Sequence, residues 1–216
     1  MGQATRNIAN SFTTSGVITS SGVDNTSLNN ITDLSLGGSL ILLSTSTASS
    51  DATISITSGI DSTYDEYLFV FNNIHPETNA TGFQFQASTN GGSSYGVTAT
   101  TTYFRAYHRE NGENPTLTYE TGSDKAQSTD FIHFPDVDMG NDNDQAASGI
   151  LRLYNPSSTT FVKHFVWRIQ YAQKDDYSIV TYVAGYFNTT SAINAFQFKM
   201  SSGEIQGGTI DMFGVV

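Results

Sequence analysis

Cysteine is absent from all 216 residues, which excludes a disulfide framework and thiolate-held metal and leaves the redox compartment open. Positive charge is nearly as scarce. Lys and Arg number 9 against 20 Asp and Glu, a formal net charge of −11, and no lysine or arginine stands between Arg6 and Arg105. Phosphate backbones and anionic lipid surfaces repel such a chain, so neither nucleic acid nor membrane is an expected partner. Long hydrophobic runs are missing too. The most apolar short stretch runs from Leu40 to Leu43, far below the ~20 residues of a spanning helix. The start of the chain has no basic region followed by an apolar core, so no signal peptide is expected. No window of helical length shows the apolar period of about 3.6 residues, and "TRNIANSF" offers one turn at most.

What is abundant points to strands. Phe and Tyr number 14 and 11 in a chain only 13% charged, and polar uncharged residues alternating with aromatics suit a pleated surface. Composition divides the chain. In residues 1–37, Ser, Thr, Asn and Gly fill 21 of 37 positions, too polar a stretch to fold alone. "TSGVIT" and "SSGVDN" echo each other within it at a spacing of six. A flexible tail is one reading; the favoured one is an extended arm that orders against another subunit, with Ile8, Phe12, Val17, Ile18, Val23 and Leu28 as its contacts. Residues 38–216 are long enough to build a core, hiding roughly 70% of the unfolded chain's surface.

In this second part strand signals recur at short intervals. "TISIT" (53–57) and "FQFQA" (83–87) alternate, and further strands are expected near 97–107, 129–134, 148–154, 160–171, 177–187, 195–200 and 208–215. Asn90-Gly91 predicts a hairpin turn, because both residues tolerate positive φ. The four prolines are expected near strand ends, where a missing N–H costs least. About ten short strands joined by turns predict an all-β fold. Its expected form is a two-sheet antiparallel β-sandwich, jelly-roll or lectin-like, carrying an extended N-terminal arm.

"DSTYDEYLFVFNNIHP" (61–76) gathers carboxylates, tyrosines and a histidine, which permits a catalytic cluster. The favoured reading is a central strand. Tyr67, Phe69 and Phe71 point one way, Leu68, Val70 and Ile74 the other, so both faces require cover. Asp61 and Ser62 cap the turn before it, and Asn72-Asn73 ends the run.

That stretch in the form "GIDSTYDEYLFVFNNIHP", with "FQFQASTNGGSSY" after it and "GTIDMFGVV" at the end of the chain, resembles small virion proteins of marine tailed bacteriophages. The "TRNIAN…GVITSSGVDN" arm and the "SLILLSTSTAS" tract are similar to theirs as well. The resemblance spans nearly the whole chain and brings no catalytic motif. It implies a structural role: a capsid decoration (cement) protein, made in the host cytoplasm, bound at the particle surface to other virion proteins and self-associated as a homotrimer. The alternative it implies is a tail fibre or short spike that recognises host-surface glycan.

The residues themselves offer few sites for chemistry. In "DVDMGNDND", Asp136, Asp138, Asp142 and Asp144 supply hard oxygen ligands of the kind calcium takes. The spacing is not an EF-hand, and a solvated acidic turn is the alternative; no cofactor is required. His75, His108, His133 and His164 lack metal-site spacing, and there is no nucleophile elbow or phosphate-binding loop. Two carboxylates would suffice for a glycosidase, but the expectation is a protein that is not an enzyme. Trp167 shares parity with Phe161, Phe165, Ile169 and Tyr171, which predicts a core position. Tyr103, Tyr107, Tyr119, Tyr177 and Tyr186 are candidate surface aromatic contacts.

Overall fold

The computed structural model describes residues 39–216. The arm of residues 1–37, with Ile8, Phe12, Val17, Ile18, Val23 and Leu28, lies outside the described residues.

Twelve strands follow in chain order: β1 (Leu40–Thr47), β2 (Ile54–Ile56), β3 (Glu66–Pro76), β4 (Thr81–Ser88), β5 (Ala99–Arg109) and β6 (Thr116–Tyr119). They continue with β7 (Ile132–Met139), β8 (Ala147–Tyr154), β9 (Lys163–Gln173), β10 (Tyr177–Phe187), β11 (Ala195–Met200) and β12 (Ile205–Val215). Every named pairing is antiparallel. The all-β expectation is met, and no helix occurs among the described residues.

The pairing makes one folded-over sheet rather than two separate ones. A long ladder runs β1-β12-β3-β8-β9-β10-β5-β6 and a short one β7-β4-β11-β2. A ladder pair between Met139 and Gln173 joins them, reinforced by the Lys174 N–H donating to the Asp138 carbonyl at 3.1 Å. The corner keeps the hydrogen bonding continuous and brings the sheet near to closing on itself.

Alternation explains why the short ladder lies over the long one. β9 reads KHFVWRIQYAQ, buried and exposed in strict turn up to Tyr171, so a slip of one residue would expose four aromatic or aliphatic side chains at once. Its inner face meets the inner rings of β3, β4 and β7, and the rings of β11 pack against those of β3 and β4. Trp167 lies 4.9 Å from Phe134 and 5.0 Å from Phe85, both edge-on. Phe71 meets Phe83 at 5.5 Å, and Phe69 meets Phe196 at 5.2 Å. Burying each such ring stabilises the fold by roughly 1.5–3 kcal/mol, and edge-on geometry adds about 0.5–1.5 kcal/mol per pair. The buried Trp167 Nε1 has no hydrogen-bond acceptor; the surrounding ring faces suit an N–H with no oxygen to reach.

Several expectations are corrected. β1 and β6 were not foreseen as strands. Asn72-Asn73 does not end β3 but forms a bulge in it: Asn73 has φ 50°, and its N–H donates to the Ser148 hydroxyl at 3.0 Å. The extra residue turns Ile74 inward, where it is fully buried. Opposite stands Gly208 at φ 112°, where a Cβ would sit 2.5 Å from the Asn73 carbonyl oxygen. Asn90-Gly91 does turn the chain, but no hairpin results, because β4 pairs with β7 and β11 rather than with β5. Pro135 lies inside β7 at its register irregularity against β4, not at a strand end. Phe161 shares Trp167's parity yet is 69% exposed, because β9 begins only at Lys163.

Candidate functional site

Stretch 61–76 does not build a catalytic cluster. Asp61 caps the turn as expected, its Oδ1 accepting from the Thr63 N–H at 2.8 Å; hydrogen bonding from the Thr63 side chain first, and from this N–H second, lowers the pKa of its carboxyl. The Tyr67 hydroxyl reaches back to the Asp61 carbonyl at 3.0 Å, which locks the turn onto β3. At the other end His75 Nε2 sits 3.0 Å from the Asp142 carbonyl. Its polar groups satisfy the loops at the two ends of one strand.

The polar side chains converge elsewhere, on the inner face of the long ladder beyond the reach of β4 and β11. There Arg105, Tyr107 and Arg109 from β5, Gln173 at the end of β9, Asp175 just beyond it, Tyr177 and Ile179 from β10, and Asp138 of β7 line a cleft of about 270 Å³. Period two is the cause. Tyr103, Arg105, Tyr107 and Arg109 share one face of β5, and the first is covered while the last is exposed. The strand passes from core to cleft without changing sides.

Arg105 organises the floor. Its Nε donates to Glu120 Oε1 at 2.8 Å and its guanidinium to Asp138 Oδ2 at 3.3 Å, while the Tyr171 hydroxyl donates to Asp138 Oδ1 at 3.0 Å. Burial works against the charge of Arg105, but the oxygens of Tyr171, Glu120 and Asp138 outweigh it and hold its pKa above the ordinary value. Burial first, then the Asp138 charge, pushes Tyr171 well above the usual phenol range, and burial does the same to Tyr103. The rim is aromatic and cationic. Arg105 lies over the Tyr107 ring at 5.2 Å, Arg109 over Tyr177 at 5.0 Å, and the two rings meet edge-on at 5.8 Å. Such a cleft offers stacking surfaces, fixed donors and a carboxylate, the equipment for holding a polar, ring-shaped ligand.

Two of the five candidate surface tyrosines, Tyr107 and Tyr177, meet at this rim. Tyr103 is fully buried and is not a surface contact. Tyr119 is exposed on β6, its hydroxyl donating to Asp124 at 2.6 Å. Tyr186 is half-buried on the opposite face of the sheet, 6.0 Å from the His164 ring. Trp167 takes its expected core place. The three described aspartates of the acidic stretch, Asp138, Asp142 and Asp144, do not converge on one point. The side chain of Asp136 lies outside the described residues, Asp138 is engaged by Arg105 and Tyr171, and Asp142 and Asp144 are exposed in the turn before β8. A divalent ion on Asp138 would compete with a guanidinium already in place, and among the described residues no group of three His, Asp or Glu side chains is arranged to hold a metal.

Sequence reading missed Arg105, Arg109, Gln173 and Asp175. The signal for the first two was present in "YFRAYHR", whose alternate residues carry the cleft. Set beside known protein families, curated proteins and solved structures, the chain matches none.

Proposed function

We propose that the chain is a non-enzymatic structural protein of a bacteriophage particle, most simply an outer capsid decoration protein attached through its N-terminal arm. One observation supports this reading above others: the outward face of the long ladder is rich in apolar side chains and balanced in charge. Leu42 is 56% exposed and Leu117 73% exposed on it, with Phe104, Tyr119 and Val166 also in contact with solvent. Contiguous apolar faces of this kind mark contact sites. In this reading the folded-over sheet is a sandwich of lectin-like or jelly-roll type, the short ladder forming its second layer. The acidic net charge keeps the protein away from packaged DNA.

Mass spectrometry of purified particles, with the copy number taken from gel densitometry, tests it. Hundreds of copies support decoration, and absence from the particle overturns the reading. Deleting residues 1–30 should abolish particle binding while leaving the thermal unfolding of the β-domain unchanged.

The Arg105–Tyr107–Arg109–Tyr177 cleft favours a second reading, a tail fibre or spike that holds host-surface glycan. A copy number in the tens or fewer, together with adsorption of the purified protein to host cells that Tyr177→Ala abolishes, would replace the first reading with this one.

A further inference from the structure

The outward face of the long ladder can be followed row by row from the register. One row runs Leu42, Phe213, Leu68, Arg152, Val166 and Ala184 across β1, β12, β3, β8, β9 and β10. The next runs Thr45, Asp211, Val70, Ile150, Arg168 and Tyr182 over the same strands. Counting outward from the boundary between β3 and β8, apolar corresponds to apolar at Val70 and Ile150, Phe213 and Val166, and Leu42 and Ala184. Opposite charges correspond at Asp211 and Arg168, Leu68 corresponds to Arg152 with its apolar stem, and Thr45 to Tyr182.

From this complementarity we infer that the face is the docking surface for a second copy of the same chain. The two copies stack face to face about a two-fold axis that runs along the strands between β3 and β8. Such an axis carries each strand onto its counterpart on the other side of the boundary. It therefore sets Val70 against Ile150, Phe213 against Val166, and Asp211 of each copy against Arg168 of the other.

Charge supports this occupant. The four charged side chains of the two rows and the row above are Glu66, Arg152, Asp211 and Arg168, two of each sign, on a chain whose net charge is −11. Glu66 and Arg152 already pair with each other. Arg168 is exposed and makes no hydrogen bond or ion pair among the described residues. Asp211 is held by the Thr45 hydroxyl at 2.6 Å and the Asn72 amide at 3.2 Å, with no cation beside it. Three strand spacings of ~4.8 Å separate the two, about 14 Å, and the two-fold closes that gap twice. The overlap of six strands covers on the order of 600 Å² in projection per copy; accessible area exceeds projected area and approaches the ~800 Å² per partner of a stable complex. β5 and β6 extend past the overlap, so Leu117 and Tyr119 stay free for another contact.

The test is reciprocal charge reversal in the full chain, read by sedimentation equilibrium. The wild type should have twice the 23.3 kDa chain mass. Arg168→Glu or Asp211→Arg alone sets two like-charge pairs at the interface and should weaken association by about a hundredfold. The double variant Arg168→Glu/Asp211→Arg should restore it to within about threefold of wild type. Arg168 faces outward and holds nothing within the chain, so the melting temperature of dilute Arg168→Glu should match wild type, whereas Asp211→Arg also gives up the bonds from Thr45 and Asn72; the Arg168 variant therefore separates lost association from lost folding. A monomeric wild type, an odd-numbered oligomer, or an assembly indifferent to both single reversals overturns the inference.

Discussion

The two faces of the long ladder use the same strands and many of the same residue types, yet they meet different fates. Inward, β9 presents Phe165, Trp167, Ile169 and Tyr171, and the rings of the short ladder close over them. Outward, it presents His164, Val166, Arg168 and Gln170, all exposed. An apolar residue inside therefore contributes to folding stability, while one outside contributes only once something is placed upon it. Hydrophobicity alone does not distinguish the two; cover does.

Substitutions that treat the faces alike should expose that difference. The largest effect is expected for Trp167→Ala, which opens a cavity among Phe85, Phe134 and Phe71. A loss of about 3–5 kcal/mol is expected in urea unfolding. Replacing Arg105 with Met should cost less, about 1–3 kcal/mol, because it removes the cation from between the half-buried Asp138 and Glu120 carboxylates; the same measurement reads it, and a neutral result would mean that their other partners and water suffice. Alkali should act next, through the buried phenols. Tyr103 and Tyr171 have raised folded pKa values, so their contribution is intact below the unfolded tyrosine pKa of about 10 and is lost as pH climbs above it. Stability should fall by up to about 1.4 kcal/mol per pH unit for each, and Tyr171→Phe should flatten the slope. The smallest effect is expected outside. Leu117→Ser should move stability by no more than about 0.5 kcal/mol, because the side chain is 73% exposed.

How much of this was legible in the chain follows the same division. Strict alternation in "FQFQA" and "KHFVWRIQY" was enough to orient β4 and β9, since a period of two admits one inward set. Bulges were not legible. Asn72-Asn73 looks like the end of a strand, and only Gly208 across the ladder, 135 positions later in the chain, makes the insertion tolerable. β1 escaped because its apolar run changes abruptly to Ser and Thr without alternation, and β6 because four residues after Pro115 carry almost no pattern. The cleft was out of reach for another reason. Arg105, Asp138 and Tyr171 come from three strands, and no local spacing announces that a fold will bring them together. The demand that β3 be covered on both faces was readable from Leu68 and Val70. Leu68 is buried and Val70 half-buried, in the middle of the face assigned above to a second copy.

The pairing of β1 with β12 has a consequence for synthesis. Leu40 lies opposite Val215, and β12 separates β1 from β3. The strand that joins the earliest part of the domain to its centre is therefore the last of its strands to be made. Until β12 is in place β1 has no ladder partner and β3 has one bare edge. Contacts so distant in sequence make for slow folding, and a domain without β12 would keep most of its residues but lack the strand that joins β1 to the rest.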